Sequence, residues 1–333
     1  MKLLPFAIFL LLFISCEKKE KFAKAEIKFS EIDSLHTNKE VEQFIGKTDD
    51  FYEYFTLKKV QDIQCPGCDS VLKNMAIKIR INKSYYKADF DNNGYTDLLV
   101  TGENKMSPTK ISNGPVVFPM DFNAIVLMNF GKNKIKLYDI SDGRFYGLVP
   151  NVEYSESQPF LVINTPEHYN PWKKFRTPAR KSKLTFKFDD FIEYNPNPTD
   201  YQIEKIEYSS TGCFGECPVF TLNIDNDGSA KLVAKHYNYT KDWQKGKLLQ
   251  GNYSTTLPNI ELKYLTGLIN YIDFVNLKNE YAVSWTDDIT GILKITYNNG
   301  KIKIITYYGM QGTYGLKRLH DLLDDLKKNQ DWK

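Results

Sequence analysis

The chain reads as an α+β protein with two β-rich domains, mostly antiparallel in their sheets, the second carrying two packing helices. Three observations predict this. Apolar residues alternate with period two in short segments from Met75 to Tyr307. Asp225-Asn226-Asp227-Gly228 and Asn298-Asn299-Gly300 are hairpin turn sequences. Leu316, Leu319, Leu322, Leu323 and Leu326 recur at helical spacing near the C-terminal end.

In chain order, Met1-Lys2 supplies a short positive start and Leu3 to Ile14 an uncharged run broken only by Pro5. That run is shorter than the roughly 20 residues a bilayer-spanning helix needs. It reads as an export signal removed on processing. Phe13-Ile14-Ser15 before Cys16 resembles the lipobox of bacterial lipoproteins, with Phe where Leu is usual. The resemblance implies a signal peptide over 1–15, palmitate-type acylation of Cys16 and a stable anchor in the cell envelope, since two or more acyl chains hold firmly. Residues 16–35 then read as a lipidated tether, because Glu17, Lys18, Lys19, Glu20, Lys21 and Lys24 cannot pack a core. Acidic and lysine residues just after Cys16 also resemble the surface-export signal of Bacteroidetes lipoproteins. The expected place is therefore the outer membrane, on its periplasmic or its exterior face.

An aromatic content of 14% allows well-filled cores and excludes disorder. The 44 basic residues nearly balance the 41 acidic ones and form no cluster, which excludes a nucleic-acid partner. The partners expected are membrane lipid, through Cys16, and an extracytoplasmic ligand that composition does not name.

Residues 36–194 form the expected N-terminal domain. Asn38 stands where it would cap a short helix through Val41, Phe44 and Ile45. Strands are expected at Met75 to Ile81, Tyr85 to Phe90, Asp97 to Thr101, Ala124 to Asn129, Lys134 to Ile140, Phe160 to Ile163 and Leu184 to Phe188. Asn195-Pro196-Asn197-Pro198 removes two donors and fixes two φ angles, so residues 195–200 read as a linker.

The C-terminal domain is expected over 201–330. Ile203 to Ser209, Val219 to Ile224, Ala230 to Tyr239, Ile292 to Tyr297 and Lys301 to Tyr307 read as strands. Ile260, Tyr264, Leu268, Ile269 and Ile272 make a first helix and the leucine stripe a second. Thr211-Gly212-Cys213-Phe214-Gly215-Glu216-Cys217-Pro218, the Asp227-Gly228 turn and the leucine-rich closing helix together resemble a bacterial family known as a domain of unknown function. That resemblance covers roughly residues 201–328 and implies an extracytoplasmic domain without an assigned activity.

Asp89-x-Asp91-x-Asn93-Gly94-x-x-Asp97 places oxygen side chains at alternate positions of a tight loop, with Gly at the sharp turn. Such oxygens, with the Tyr95 backbone carbonyl, converge on a hard cation, and the ion expected is a structural Ca²⁺. Val100 stands where an EF-hand carries its bidentate Glu, and Asp89 to Gly102 instead resembles a single FG-GAP or VCBS repeat. The competing reading is a hairpin at Asn93-Gly94 with solvated aspartates.

Four further cysteines fall in close pairs, Cys65-Pro66-Gly67-Cys68 and Cys213 with Cys217. In an oxidising compartment the first reading is two local disulfides. A four-thiolate zinc site is the alternative by ligand type. A redox role for Cys65 and Cys68 is the enzyme alternative, opposed by a polar lead-in at Gln61-Asp62-Ile63-Gln64 and by the strand expected from Met75.

His36, His168, His236 and His320 lie far apart, and His320 is expected on the solvated side of the last helix. Asp33-Ser34-Leu35 and Asp69-Ser70-Val71 resemble the O-glycosylation acceptor of Bacteroidetes exported proteins. No motif for a nucleophile elbow, a zinc protease or a phosphate loop is present. The sequence therefore favours a non-enzymatic binding or envelope-associated lipoprotein over a thiol-disulfide oxidoreductase.

Overall fold

The structure is a computed structural model that describes residues 26–62, 69–104, 122–132, 134–141, 147–170, 175–241, 245–283 and 285–333. Among these residues it is β-rich, with mostly antiparallel sheets and five α-helices. The first elements are α1 (Glu31–Ser34) and α2 (Asn38–Thr48). Thr37, rather than Asn38, caps α2: its hydroxyl accepts from Glu40 N while the Glu40 carboxylate accepts from Thr37 N at 2.9 Å. Asn38 is the first helical residue, and this reciprocal box satisfies two donors that one Asn could not. Val41, Phe44 and Ile45 are buried as expected.

The next strand is β1 (Phe55–Leu57), followed by α3 (Asp69–Lys78). The strand expected at Met75 to Ile81 is thus mostly helix. Leu72 and Ala76, one turn apart, pack with Val60, Ile81 and Val149, whereas Ile77 is 61% exposed. Of the alternating residues that suggested a strand, Ile77 and Ile79 are exposed and Ile81, beyond the helix, is buried.

β2 (Tyr85–Ala88), β3 (Asp97–Asn104), β4 (Phe122–Asn129) and β5 (Ile135–Asp139) complete a five-stranded sheet with β1, in which β1 and β2 pair with opposite ends of β3. Leu98, Val100, Ile125 and Leu127 face α1 and α2, while Leu99, Ala124, Val126 and Met128 face a second sheet. That sheet contains β6 (Val149–Ser155), β7 (Gln158–Thr165), β10 (Arg180–Lys187) and β11 (Asp190–Glu193). The ribbon β8 (His168–Asn170) with β9 (Phe175–Thr177) lies between β7 and β10 in the chain. With both faces covered, β3 and β4 bury nearly every side chain they carry.

The C-terminal half forms a seven-stranded sheet. In chain order its strands are β12 (Ile203–Ser210), β13 (Val219–Asp225), β14 (Ser229–Lys241), β15 (Lys245–Thr256), β16 (Glu280–Ala282), β17 (Thr290–Tyr297) and β18 (Lys301–Tyr308). Across the sheet the order is β15, β14, β13, β12, β17, β18, β16, and the β16–β18 pair is parallel. α4 (Asn259–Tyr271) and α5 (Tyr314–Asn329) bring Leu265, Leu268, Leu319 and Leu323 onto one core with Ile206, Leu222, Leu293 and Ile305. The turn at Asn298, Asn299 and Gly300 takes positive φ at all three residues, and the Glu204 carboxylate accepts from Asn299 N and Gly300 N.

The two halves share side chains. Tyr314 of α5 packs in the core of the second sheet, and Ile192 of β11 packs in the C-terminal core. The Glu193 carboxylate accepts from Tyr314 N and Gly315 N, both at 2.9 Å, satisfying the free donors at the α5 N-terminus. Asn195 donates to the Tyr271 hydroxyl and carbonyl, so the segment joining β11 to β12 is strapped to α4.

Candidate metal centre

The segment 89–96 joins the antiparallel neighbours β2 and β3, which pair Ala88 with Asp97. Positive φ at Asn92 (55°) and Gly94 (89°) curls it inward. The Asp89 carboxylate accepts from Asn93 N (3.0 Å) and Gly94 N (2.8 Å). Asp91 accepts from the Asn93 amide at 2.9 Å. Asp97 is fully buried and accepts from Phe90 N and Asn129 N, both at 2.7 Å. It thereby ties the loop to β4.

Carboxylate oxygens of Asp89, Asp91 and Asp97 lie within 4.8 Å of one another. Two unit negative charges about 5 Å apart repel by about 3 kcal/mol at an effective dielectric of 20. Burial first, and the charges of Asp91 and Asp89 second, push the Asp97 carboxyl up to about 8 against the pull of its two backbone donors. Burial and then Asp89 raise Asp91 to about 6. Such a trio asks for a proton or a cation.

The Asn93 side chain has other work. Asn93 Oδ1 accepts from Tyr95 N at 2.7 Å and its amide donates to the Asn129 carbonyl at 2.9 Å, so this side chain braces the loop. The Tyr95 ring lies over Gly131, where a Cβ would come within 2.4 Å of a ring carbon. Three of the five groups expected from the sequence therefore converge through side-chain oxygens, while the Asn93 side chain braces the turn. A hard divalent cation suits the donors, and Ca²⁺ tolerates a trio supplemented by carbonyl and water oxygens.

The remaining expected sites separate. Cys16, Cys65 and Cys68 lie outside the described residues. Cys213 and Cys217 have their sulfurs at bonding distance and their Cα atoms 5.7 Å apart, closing the loop between β12 and β13. Phe214 at its tip is 88% exposed, and its N–H donates to the Asp287 carbonyl. That disulfide-closed loop, the Asp225 to Ser229 hairpin and the final helix are the marks seen in the sequence. Residues 204–327 match the family described as Domain of unknown function (DUF6438). The DUF6438 match begins in β12 and ends in α5, and the carboxylate trio lies before it in the chain. Comparison with curated proteins and with solved structures gave no match.

The DUF6438 region also holds a polar cluster that sequence reasoning missed. His320 is not solvated: its side chain is 18% exposed, and its ring meets Tyr208 and Tyr307 edge-on at 5.5 and 5.8 Å. The phenols lie near each other, yet neither hydroxyl makes a hydrogen bond of normal geometry among the described residues, and burial pushes both above the usual tyrosine range. Lys327, 2% exposed, sits 4.7 Å from the Phe220 ring centroid and pairs with Asp324 at 2.8 Å. The signal was present in α5, because His320 and Lys327 lie one turn from Leu316 and Leu323 and so share the apolar stripe.

Proposed function

We propose that the protein is a lipid-anchored cell-envelope module, non-enzymatic, whose N-terminal half is closed by a structural Ca²⁺ at Asp89, Asp91 and Asp97. The lipid anchor at Cys16 rests on the leader and lipobox in the sequence. The observation that carries the calcium reading is the convergence of three carboxylates, one fully buried, within 4.8 Å. Once bound, the ion supplies positive charge where the fold has gathered negative charge, and it clamps β2 to β4 through the loop. Three charged ligands on a short loop suit an affinity on the order of 10⁻⁴ M, adequate in calcium-rich surroundings. No helix among the described residues is long and apolar enough to cross a membrane.

The test has two parts. Intact-mass spectrometry of protein purified from membranes should find a chain beginning at acylated Cys16; a chain beginning at Met1 would remove the anchor. Terbium luminescence, sensitised by the nearby Tyr95, should rise on titration and be displaced by calcium. Absence of a saturable signal would remove the metal site.

A second reading, thiol-disulfide exchange by Cys65 and Cys68, gains one supporting observation. α3 begins at Asp69, directly after Cys68 in the sequence, and a helix there replaces the strand that argued against it. The neighbouring sheet is antiparallel throughout, unlike the parallel frame on which such pairs are usually built. Native alkylation separates the two: slow labelling favours a structural pair, and rapid labelling after mild reduction favours exchange.

A further inference from the structure

The residues that follow the lipid tether are bound to the fold rather than hanging from it. Ile32 is fully buried and Leu35 nearly so, although residues up to 35 read as tether in the sequence. Thr96 Oγ1 donates to Asp33 at 2.6 Å, and Lys87 donates to the Asp33 and Leu35 carbonyls. Ahead of them, Lys28 is pinned three ways. Its N–H donates to Gly94 O (2.8 Å), its ammonium donates to Asn93 O (2.9 Å), and that ammonium lies 4.9 Å from the Tyr95 ring centroid.

In an extended chain, neighbours on either side of a residue point away from it. Pinning Lys28 against the 89–96 loop therefore turns Ile27 and Phe29 outward together, where they are 74% and 80% exposed. Two large apolar side chains are held in water with their backbone immobilised between them. Nothing among the described residues covers them.

Their place in the chain selects the occupant. At about 3.6 Å per residue, Ile27 lies no more than about 40 Å along the chain from Cys16. A tether that short makes any second contact with the bilayer intramolecular, so a weak contact suffices. Charge beside the pair in the chain is mixed, with Glu26, Lys28 and Glu31 all exposed, which leaves the apolar pair to drive the contact. We propose that Ile27 and Phe29 form a lipid-docking edge, seated in the interface of the membrane that holds Cys16 and orienting the fold on it. This rests on the lipid-anchor reading. It adds a defined membrane-facing side, with the 89–96 loop beside it.

The test uses the full acylated chain in phosphatidylethanolamine–phosphatidylglycerol vesicles whose acyl chains carry bromine. The wild type, with four native tryptophans, sets the background for Phe29→Trp and for a control, Ile77→Trp, at an exposed position on α3. Both replace exposed side chains, and circular dichroism confirms that each folds. The added emission of Phe29→Trp should be blue-shifted and quenched at least twofold by bromine, with Ile77→Trp unaffected. Quenching of neither, or of both alike, overturns the docking edge while leaving the anchor intact. Mass spectrometry on the same sample reads the acyl group, and its absence would overturn the anchor and the docking edge with it.

Discussion

Calcium binding should be coupled to release of about one proton at neutral pH. The source of the proton is Asp97, whose carboxyl is raised to about 8 by burial and by its acidic neighbours. At pH 7 a group of that pKa is about 90% protonated, whereas a cation requires the carboxylate. Affinity should therefore climb close to tenfold per pH unit between about 6 and 8. The climb should be steeper below about 6, where Asp91 also takes up a proton. The same shift makes the ion-free fold lose stability as pH rises. A carboxyl raised in the folded state favours folding below its ordinary value near 4, and that advantage disappears as pH passes through about 8. At about 1.4 kcal/mol per unit the loss is bounded by several kcal/mol. Titration calorimetry in two buffers of different ionisation enthalpy counts the protons directly. An affinity flat from pH 6 to 8, with no buffer-dependent heat, would refute the convergence of the three carboxylates on one ion.

Other consequences concern the frame that holds the site. Glu193→Ala should lower stability by about 1–2 kcal/mol in urea unfolding, because Tyr314 N and Gly315 N lose their acceptor at the α5 N-terminus. An unchanged midpoint would show those donors to be solvated. Tyr208→Phe should be neutral or slightly stabilising, since the hydroxyl it removes has no hydrogen-bond partner among the described residues; a loss beyond about 1 kcal/mol would contradict that. Gly291→Ala should cost about 1–3 kcal/mol, because a Cβ there comes within 2.6 Å of the Tyr307 ring. Thermal melting of the variant would show whether the ring yields.

Local chemistry was legible in the sequence, and long-range packing was not. The hairpins at Asp225 to Gly228 and around Asn299-Gly300 follow from residues that accept positive φ, and the stripe of α5 follows from helical spacing. The acidic loop was legible as a set of oxygens, but not its division of labour. Whether Asn93 faces an ion or braces the turn depends on Asn129, which belongs to a strand far along the chain. α3 misled because Met75, Ile77, Ile79 and Ile81 alternate, while the fold buries Leu72 and Ala76 one turn apart. β15 escaped notice because only Leu249 is buried among its residues Gly246 to Ser254, so an exposed edge strand lacks apolar alternation. The seam at Glu193, Tyr314 and Ile192 joins residues more than a hundred positions apart, and no local pattern encodes it.

The carboxylate trio can be tested most directly by melting the folded protein at pH 7.5 with about 2 mM calcium and again with EDTA. At an affinity on the order of 10⁻⁴ M that concentration stabilises the fold by about 2 kcal/mol. In a chain of this size the expected result is a midpoint raised by about 3 °C, lost in Asp97→Asn. Superimposable curves with calcium and with chelator would contradict a cation at Asp89, Asp91 and Asp97.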